Sequence, residues 1–164
     1  MTGWKPKPGD LERVNAETAN WQQGDIFEGT RIPLLRVTSA ELPLSRDPSD
    51  SASRIAADEH DLVAIVSQTC DVVRHCGSRP QLVIAPIVKP DDATAALAKS
   101  NRIPRYVAVP GAGDGAFVDL DQLTTVEKSV LVGRIMQRGC RNDVEIRKFW
   151  ARSRTSFRKV RVPR

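Results

Sequence analysis

Two short runs of aliphatic residues dominate the hydrophobic pattern of the chain. Residues 62–66 read LVAIV and residues 82–88 read LVIAPIV, and both are rich in β-branched side chains, which is typical of strands. Neither run alternates with polar residues, so each strand is expected to be covered on both faces and to lie inside a sheet. The sequence therefore predicts a pair of central strands.

Weaker signals predict three elements before this pair. Asp10 is placed to cap a short helix over residues 11–18. The Gly-Asp step at 24–25 reads as a tight turn into a first strand. Residues 31–37 read as an edge strand, because Pro33 cannot donate a hydrogen bond to a central ladder.

Three further elements are predicted after the pair. Residues 93–99 are expected to form a short Ala-rich helix with Asp91 or Asp92 as its cap. Residues 105–109 and 116–120 read as two strands, joined by the glycine-rich turn PGAGDG. These elements extend the sheet beyond the central pair.

The end of the chain favours helices. Thr124 and Glu127 have capping-box spacing, and apolar residues then recur at helical spacing up to Gly139, which predicts one helix. Asn142 and Glu145 repeat the capping pattern for a final helix. Strands followed by helices indicate a mainly β protein of the α+β class, a small antiparallel sheet or barrel with C-terminal helices.

Length and composition fit one domain with appendages. The chain has 164 residues, of which 40% are hydrophobic and 27% charged, as expected for a globular domain with its own core. We expect an N-terminal arm over residues 1–20, a barrel domain over 21–139, and a basic helix or tail over 140–164. The barrel domain contains a long Ser/Asp/Pro-rich loop at 40–60, which we expect to be mobile.

Location follows from what the sequence lacks. No apolar run approaches the roughly 18–20 residues of a membrane span, and the first residues have no signal-peptide pattern. Three cysteines, an odd number, argue against a disulfide framework. The expected location is the cytoplasm, with no membrane contact.

The basic residues are concentrated at the C-terminus. Residues 134–164 carry a charge of +9 within a total of +5, so the preceding residues sum to −4. Such asymmetry is typical of contact with nucleic acid or an acidic partner, although a solvated basic helix has the same pattern. The candidate RNA- or DNA-binding residues are Arg147, Lys148, Trp150, Arg154, Arg158 and Lys159.

A polar segment between the two central strands is the candidate site. Ser67, Gln68, Cys70 and Asp71 are expected to line a pocket there. Cys70 with nearby His75 has the composition of a nucleophile pair, but Cys70 also suits a small buried position.

Zinc is a weaker interpretation of the same segment. Cys70, His75, Cys76 and Cys140 have suitable ligand chemistry, yet their spacing matches no zinc motif. We therefore expect neither a metal nor a cofactor.

Three stretches resemble one family of bacterial toxins. The sequence GDIF at 24–27 is similar to the Gly-Asp-Ile/Val that opens the first strand of PemK/MazF-like proteins. The two aliphatic runs resemble the central strands of that family, including its Pro-Ile step at 86–87. Residues 117–135 resemble its late strand, Asp-Gln turn and helix. The likeness spans most of 22–136 and implies a small SH3-like β-barrel that forms a homodimer.

The resemblance implies a function but departs from the family at the catalytic positions. RNA-cleaving members have an arginine before a central strand and a hydroxyl residue after the Pro-Ile step. Here the second position is Val88, and Arg79 precedes the other central strand. One hypothesis is therefore a nucleic-acid-binding or interaction component of a prokaryotic toxin–antitoxin or phage-defence system, whose protein partner would be an antitoxin or defence component. The alternative is a divergent endoribonuclease for single-stranded RNA that uses Arg79 with His75 or His60.

Overall fold

The fold is an antiparallel sheet with helices, seen in a computed structural model that describes residues 9–38 and 54–158. Within these ranges, residues 30–38, 54–59 and 154–158 are described by their backbone alone. The strands are β1 (Ile26–Thr38), β2 (Arg54–Ile65), β3 (Gln81–Val88), β4 (Tyr106–Ala108), β5 (Phe117–Asp119), β6 (Thr124–Glu127) and β7 (Ile135–Gln137). The helices are α1 (Asp10–Thr18), α2 (Thr69–Val72), α3 (Asp92–Lys99), α4 (Lys128–Leu131) and α5 (Asp143–Arg158).

The predicted central pair lies in the middle of the sheet. The strand order is β4-β5-β3-β2-β1-β7, with β6 pairing to β3 beside this path. β2 and β3 are antiparallel and bring Val63 opposite Pro86 and Ile65 opposite Ile84. The α+β class and the central position of both strands are confirmed. The end strands β4 and β7 do not pair, so the described strands do not close into a barrel.

The end of β2 is buried on both faces, as its uninterrupted apolar run predicts. Successive residues of a strand point to opposite faces. Val63 and Ile65 pack in a cluster on one face, and Ala64 and Val66 in a cluster on the other. The first cluster contains Trp21, Phe27, Val63, Ile65, Val72, Leu82, Ile84 and Leu131. The second contains Ile26, Ala64, Val66, Ala85, Val107, Val109, Val118, Leu120, Cys140 and Phe149.

The Gly-Asp turn before β1 is fixed by an ion pair between a buried aspartate and an exposed arginine. Asp25 is fully buried, and its Oδ2 accepts from Arg138 Nη1 at 2.7 Å and from Gln22 N at 2.8 Å. Desolvation raises the pKa of Asp25 even though Arg138 and the Gln22 amide act in the opposite direction. Arg138 Nη2 also donates to the carbonyl of Asn20 at 2.6 Å. The pair therefore joins the start of β1 to the chain that follows β7.

Three predicted helices are present, with one change of cap. Asp91 Oδ1 accepts from Thr94 N at 2.9 Å and caps α3, and Asn142 Oδ1 accepts from Glu145 N at 3.0 Å before α5. The predicted cap of α1 is wrong. Gly9, with a φ of 89°, precedes this helix and Asp10 is its first residue.

The predicted helix over residues 124–139 is wrong. Residues Thr124–Glu127 form β6, which pairs with β3 from Gln81 to Ile84. Thr124, Thr125 and Val126 are β-branched and suit a strand, and the side of β3 not occupied by β2 offers them ladder partners. Only α4 is helical, and Gly133, with a φ of 75°, follows it before β7.

The first part of the chain also differs from expectation. The two predicted segments at 26–27 and 31–37 form the single strand β1. β7 pairs with β1 only at residues 26–28, so Pro33 lies where β1 pairs with β2 alone, as an edge position requires. Residues 54–60 of the predicted loop are part of β2, whereas 39–53 lie outside the described residues, as do 1–8 of the predicted arm.

The described helices give no sign of a membrane span. Within residues 9–38 and 54–158, none is long and apolar enough to cross a bilayer.

Candidate functional site

The segment between β2 and β3 begins with a set of fixed hydrogen bonds. Ser67 Oγ accepts from Val83 N at 2.8 Å, while Val66 N and Ser67 N both donate to the carbonyl of Val83. Gln23 Nε2 donates to the carbonyl of Val66 at 2.8 Å, and Gln23 N donates to Thr69 Oγ1 at 3.1 Å. The polar side chains that follow therefore start from a rigid base.

The rest of this segment is held by a buried lysine. Lys128 is 1% exposed, and its Nζ donates to the carbonyl of Arg74 at 2.6 Å and to that of Asp71 at 3.4 Å. Its backbone N–H donates to the carbonyl of Pro80 at 2.8 Å. Desolvation lowers the pKa of Lys128, because burial penalises its charged form.

One carboxylate organises the charges on the segment. Asp71 Oδ1 lies 3.4 Å from Arg74 Nη1 and 3.7 Å from Arg79 Nη2. The arginine side chains are 59% and 55% exposed, so each pair contributes little to stability, of the order of 0–1 kcal/mol. Two cations and one anion leave this group with a net positive charge.

Two neighbouring cavities adjoin this group. The larger, about 560 Å³, lies between the segment and α5 and is lined by Gln23, Val66, Ser67, Gln68, Asp71, Arg79, Val83, Trp150 and Ser153. The smaller, about 330 Å³, is lined by Ser67, Asp71, Ser78, Arg79, Pro80, Gln81, Leu82, Val83 and Thr125. They share Ser67, Asp71, Arg79 and Val83. We call the two together the groove.

Helix α5 supplies the aromatic wall of the groove. Phe149 and Ser153 are buried, and Ser153 Oγ donates to the carbonyl of Phe149 at 2.9 Å. Trp150, between them in sequence, is half-buried and lines the larger cavity. The helix therefore docks through Phe149 and presents an indole to the opening that Arg79 also lines.

The basic residues predicted on α5 are only partly described. Arg147 and Lys148 are exposed, and Arg147 precedes Trp150 by three residues, which places both on one helical face. Residues 154 and 158 belong to the helix by their backbone alone, and Lys159 lies outside the described residues.

The structure separates the predicted site residues into two groups. Ser67, Gln68, Asp71 and Arg79 line the groove, whereas Cys70 and His75 line neither of its cavities. Cys70 Sγ contacts Gln68 Oε1 at 3.6 Å, and His75 Nδ1 accepts from Gly77 N at 3.1 Å. These contacts direct the two side chains to different partners. The alternative of a buried Cys70 is wrong, because this thiol is exposed.

The zinc interpretation is wrong for the residues that the structure describes. Cys76 Sγ donates to the carbonyl of Leu11 at 3.8 Å, whereas Cys140 is buried in the second core cluster. Across the described ranges, no group of three or more His, Cys, Asp or Glu side chains is placed to hold a metal ion.

The three thiols should react very differently. Cys70 is exposed, whereas Cys76 and Cys140 are buried, and burial raises the pKa of Cys140 to about 11. Because the thiolate is the nucleophile, we expect iodoacetamide at pH 8 to label Cys70 alone in the native protein. Mass spectrometry of the labelled peptides measures this. A Cys70→Ser variant should take up no label until it is denatured, and native labelling of Cys140 would contradict the result.

Sequence reasoning missed two residues of this site. Gln23 belongs to the turn before β1 and reaches the groove only because Val66 and Thr69 lie beside it. Lys128 lies within residues 124–139, where a helix was predicted, and a lysine is ordinarily solvated. Its burial follows from the pairing of β6 with β3, which the β-branched residues of 124–126 allow but local spacing alone does not select.

No protein-family model and no curated protein matches this chain.

Proposed function

We propose that the groove binds single-stranded nucleic acid, as part of a divergent PemK/MazF-like protein in a prokaryotic toxin–antitoxin or phage-defence system. One observation carries the proposal. Trp150 and Arg79, which belong to distant parts of the chain, line the same cavity of about 560 Å³. A half-buried indole and an exposed guanidinium that line one cavity are the combination that takes a base and its phosphate.

The chemistry of the lining supports this ligand. Arg79 can donate two parallel hydrogen bonds to a phosphate, and a base can stack on Trp150, since every base has a π-face. Gln68 and Ser67 supply further polar groups to the lining of the same cavity. Arg74 and Arg147 are exposed nearby in the chain and add positive charge, which favours a polyanion over a neutral ligand.

Binding fits the groove better than RNA cleavage does. General acid–base catalysis needs a titratable group within hydrogen-bond reach of the reacting oxygen. His75, the predicted partner of Arg79, lines neither cavity, and its Nδ1 accepts from Gly77 N. Asp71, which lines both cavities, is already paired with Arg74 and Arg79. The position after the Pro-Ile step is Val88, which has no hydroxyl. We therefore propose a binding module, and not an endoribonuclease.

The SH3-like fold, the homodimer and the protein partner are also part of the proposal. In support of an SH3-like relationship, Gly24 and Asp25 lead into β1, and Pro86 lies in the central strand β3. Residues 117–122 run from β5 into a 3-10 turn, as the late strand and Asp-Gln turn of that family would, whereas β6 stands where the resemblance implies the start of a helix. A homodimer, an antitoxin or defence partner and a cytoplasmic location follow from the same resemblance and composition.

Binding should depend on salt and on Arg79. We expect a fluorescein-labelled single-stranded RNA or DNA to bind with an affinity that falls steeply between about 50 and 200 mM salt. Arg79→Ala should weaken binding and reduce the slope of log affinity against log salt by about 1, because one phosphate contact is lost. Fluorescence anisotropy measures both quantities.

The control removes the same charge elsewhere. Arg102 is exposed and lines neither cavity, so Arg102→Ala should leave the slope and affinity close to those of the wild type. Equal effects of both variants, or no binding at low salt, would reject the groove as the site. RNA cut by the wild type but not by Arg79→Ala would favour the endoribonuclease instead.

A further inference from the structure

We propose that Lys128 is a positioning residue of the groove, because it fixes the backbone that carries Asp71, Arg74 and Arg79. This inference rests on the proposed function where it concerns ligand affinity, and on geometry alone where it concerns the segment. Lys128 is not expected to touch the ligand, since it is 1% exposed and lines neither cavity.

A single residue holds the segment at three points. Lys128 Nζ binds the carbonyls of Asp71 and Arg74, and Lys128 N binds the carbonyl of Pro80. The carbonyls of Asp71 and Pro80 lie at the two ends of residues 71–80, that of Arg74 lies between them, and Arg79 is next to Pro80. Fixing both ends limits where the guanidinium of Arg79 can lie relative to Trp150.

The positive charge of Lys128 suits this task. Its ammonium binds the carbonyl of Asp71, inside the four-residue helix α2, and that of Arg74, two residues beyond the end of this helix. The helix does not continue, so it supplies no backbone N–H to these two carbonyls. A charge-assisted hydrogen bond is roughly twice as strong as a neutral one. An apolar side chain of similar length would fill the space and leave these carbonyls to be satisfied in another way.

Hydrogen exchange tests whether Lys128 holds the backbone of residues 71–80. In Lys128→Met we expect the amides of residues 72–79 to exchange about 10- to 100-fold faster, the effect of losing hydrogen bonds to a charged group. Amides of residues 82–86 in β3 should change by less than about threefold. The matched control is Lys99→Met, which removes the same group from an exposed position of α3. Unchanged exchange over 72–79 in a folded Lys128→Met protein would overturn the inference.

Two further variants keep the test decisive. Lys128→Arg retains charged donors and should restore the protection of residues 72–79 to within about threefold of the wild type. If Lys128→Met does not fold, Lys128→Gln, which keeps one neutral donor group, takes its place with the same expected direction. If residues 72–79 exchange as rapidly in Lys128→Arg as in the neutral variant, the charge and donors of residue 128 do not protect this segment, and the inference is overturned.

A double-mutant cycle tests whether Lys128 affects ligand affinity by positioning Arg79. If Lys128 positions Arg79, the loss of affinity caused by Arg79→Ala should be at least about threefold smaller in the Lys128→Met background than in the wild type. A purely structural role predicts additive losses, and additivity would overturn the positioning role. If the wild type binds no oligonucleotide, the proposed function fails, while the exchange experiment still decides whether Lys128 holds the segment.

Discussion

Gly139→Ala should destabilise the protein by about 4 kcal/mol or more, a large part of the roughly 5–15 kcal/mol that stabilises a typical domain. A Cβ at this position would overlap the carbonyl oxygen of Gly24 and lie 2.6 Å from Val109 Cγ1. The first neighbour is backbone, so no change of rotamer can relieve the clash. Gly139 is therefore required by the close approach of two chain segments.

The turn at Gly24 and the chain at Gly139 cannot move apart. Gly24 N donates to the carbonyl of Ile65 at 2.8 Å, which ties the turn to the end of β2. Gly111 N donates to the carbonyl of Gly139 at 2.8 Å. The ion pair between Asp25 and Arg138 joins the same segments from the other side. A shift large enough to admit a methyl group would break several of these contacts together.

Urea unfolding followed by tryptophan fluorescence measures the effect, since Trp21 is buried in the core. Gly77→Ala is the control. Its Cβ would meet only the His75 ring, at 3.1 Å, and that exposed side chain can turn away, so the expected change is within about 1 kcal/mol. A Gly139→Ala protein with a wild-type unfolding midpoint would contradict the described approach of Gly24 and Gly139.

Trp150→Ala should produce the largest loss of ligand affinity. Removing an aromatic side chain on which a base stacks costs about 1–3 kcal/mol per base, or roughly 5- to 150-fold in affinity. The reason is that the indole lines the larger cavity, which Arg79 also lines. Trp150→Phe keeps a smaller stacking surface and should lose less. Anisotropy titrations at one salt concentration measure the affinities of both variants and of the wild type.

Fold and binding must be separated in this experiment, because Trp150 is half-buried. Circular dichroism melts establish the temperature at which each variant is folded, and titrations are done below it. The salt dependence of Trp150→Ala should stay close to that of the wild type, since no phosphate contact is removed. An affinity equal to that of the wild type would place the nucleic acid elsewhere.

Local sequence patterns were sufficient where one element's own residues decide its structure. The aliphatic runs of β2 and β3 predicted strands buried on both faces, and residues on both faces of β2 are buried. The caps of α3 and α5 were also predicted, because a cap depends on residues three positions apart. In the candidate site, the same reasoning identified Ser67, Gln68, Asp71 and Arg79, which belong to one short polar segment.

Where two patterns compete, the partner strand decided. Thr124 to Glu127 has capping-box spacing and also β-branched residues, and the local sequence does not rank the two. Pairing with β3 gives these residues a ladder along Gln81 to Ile84. The same pairing places the backbone N–H of Lys128 within hydrogen-bond distance of the carbonyl of Pro80. The burial of this lysine is thus a consequence of a long-range contact.

The sequence by itself determined the class of the protein: an antiparallel sheet centred on β2 and β3, with a polar segment between them and a basic helix at its end. Only the tertiary structure decided that Trp150 and Arg79 line the same cavity, and that Cys70 and His75 lie outside the lining of the groove. The physical reason is that periodicity and capping report on neighbours within a few residues of one another. Which distant residues meet depends on how strands pair and where a helix buries its apolar face, here through Phe149.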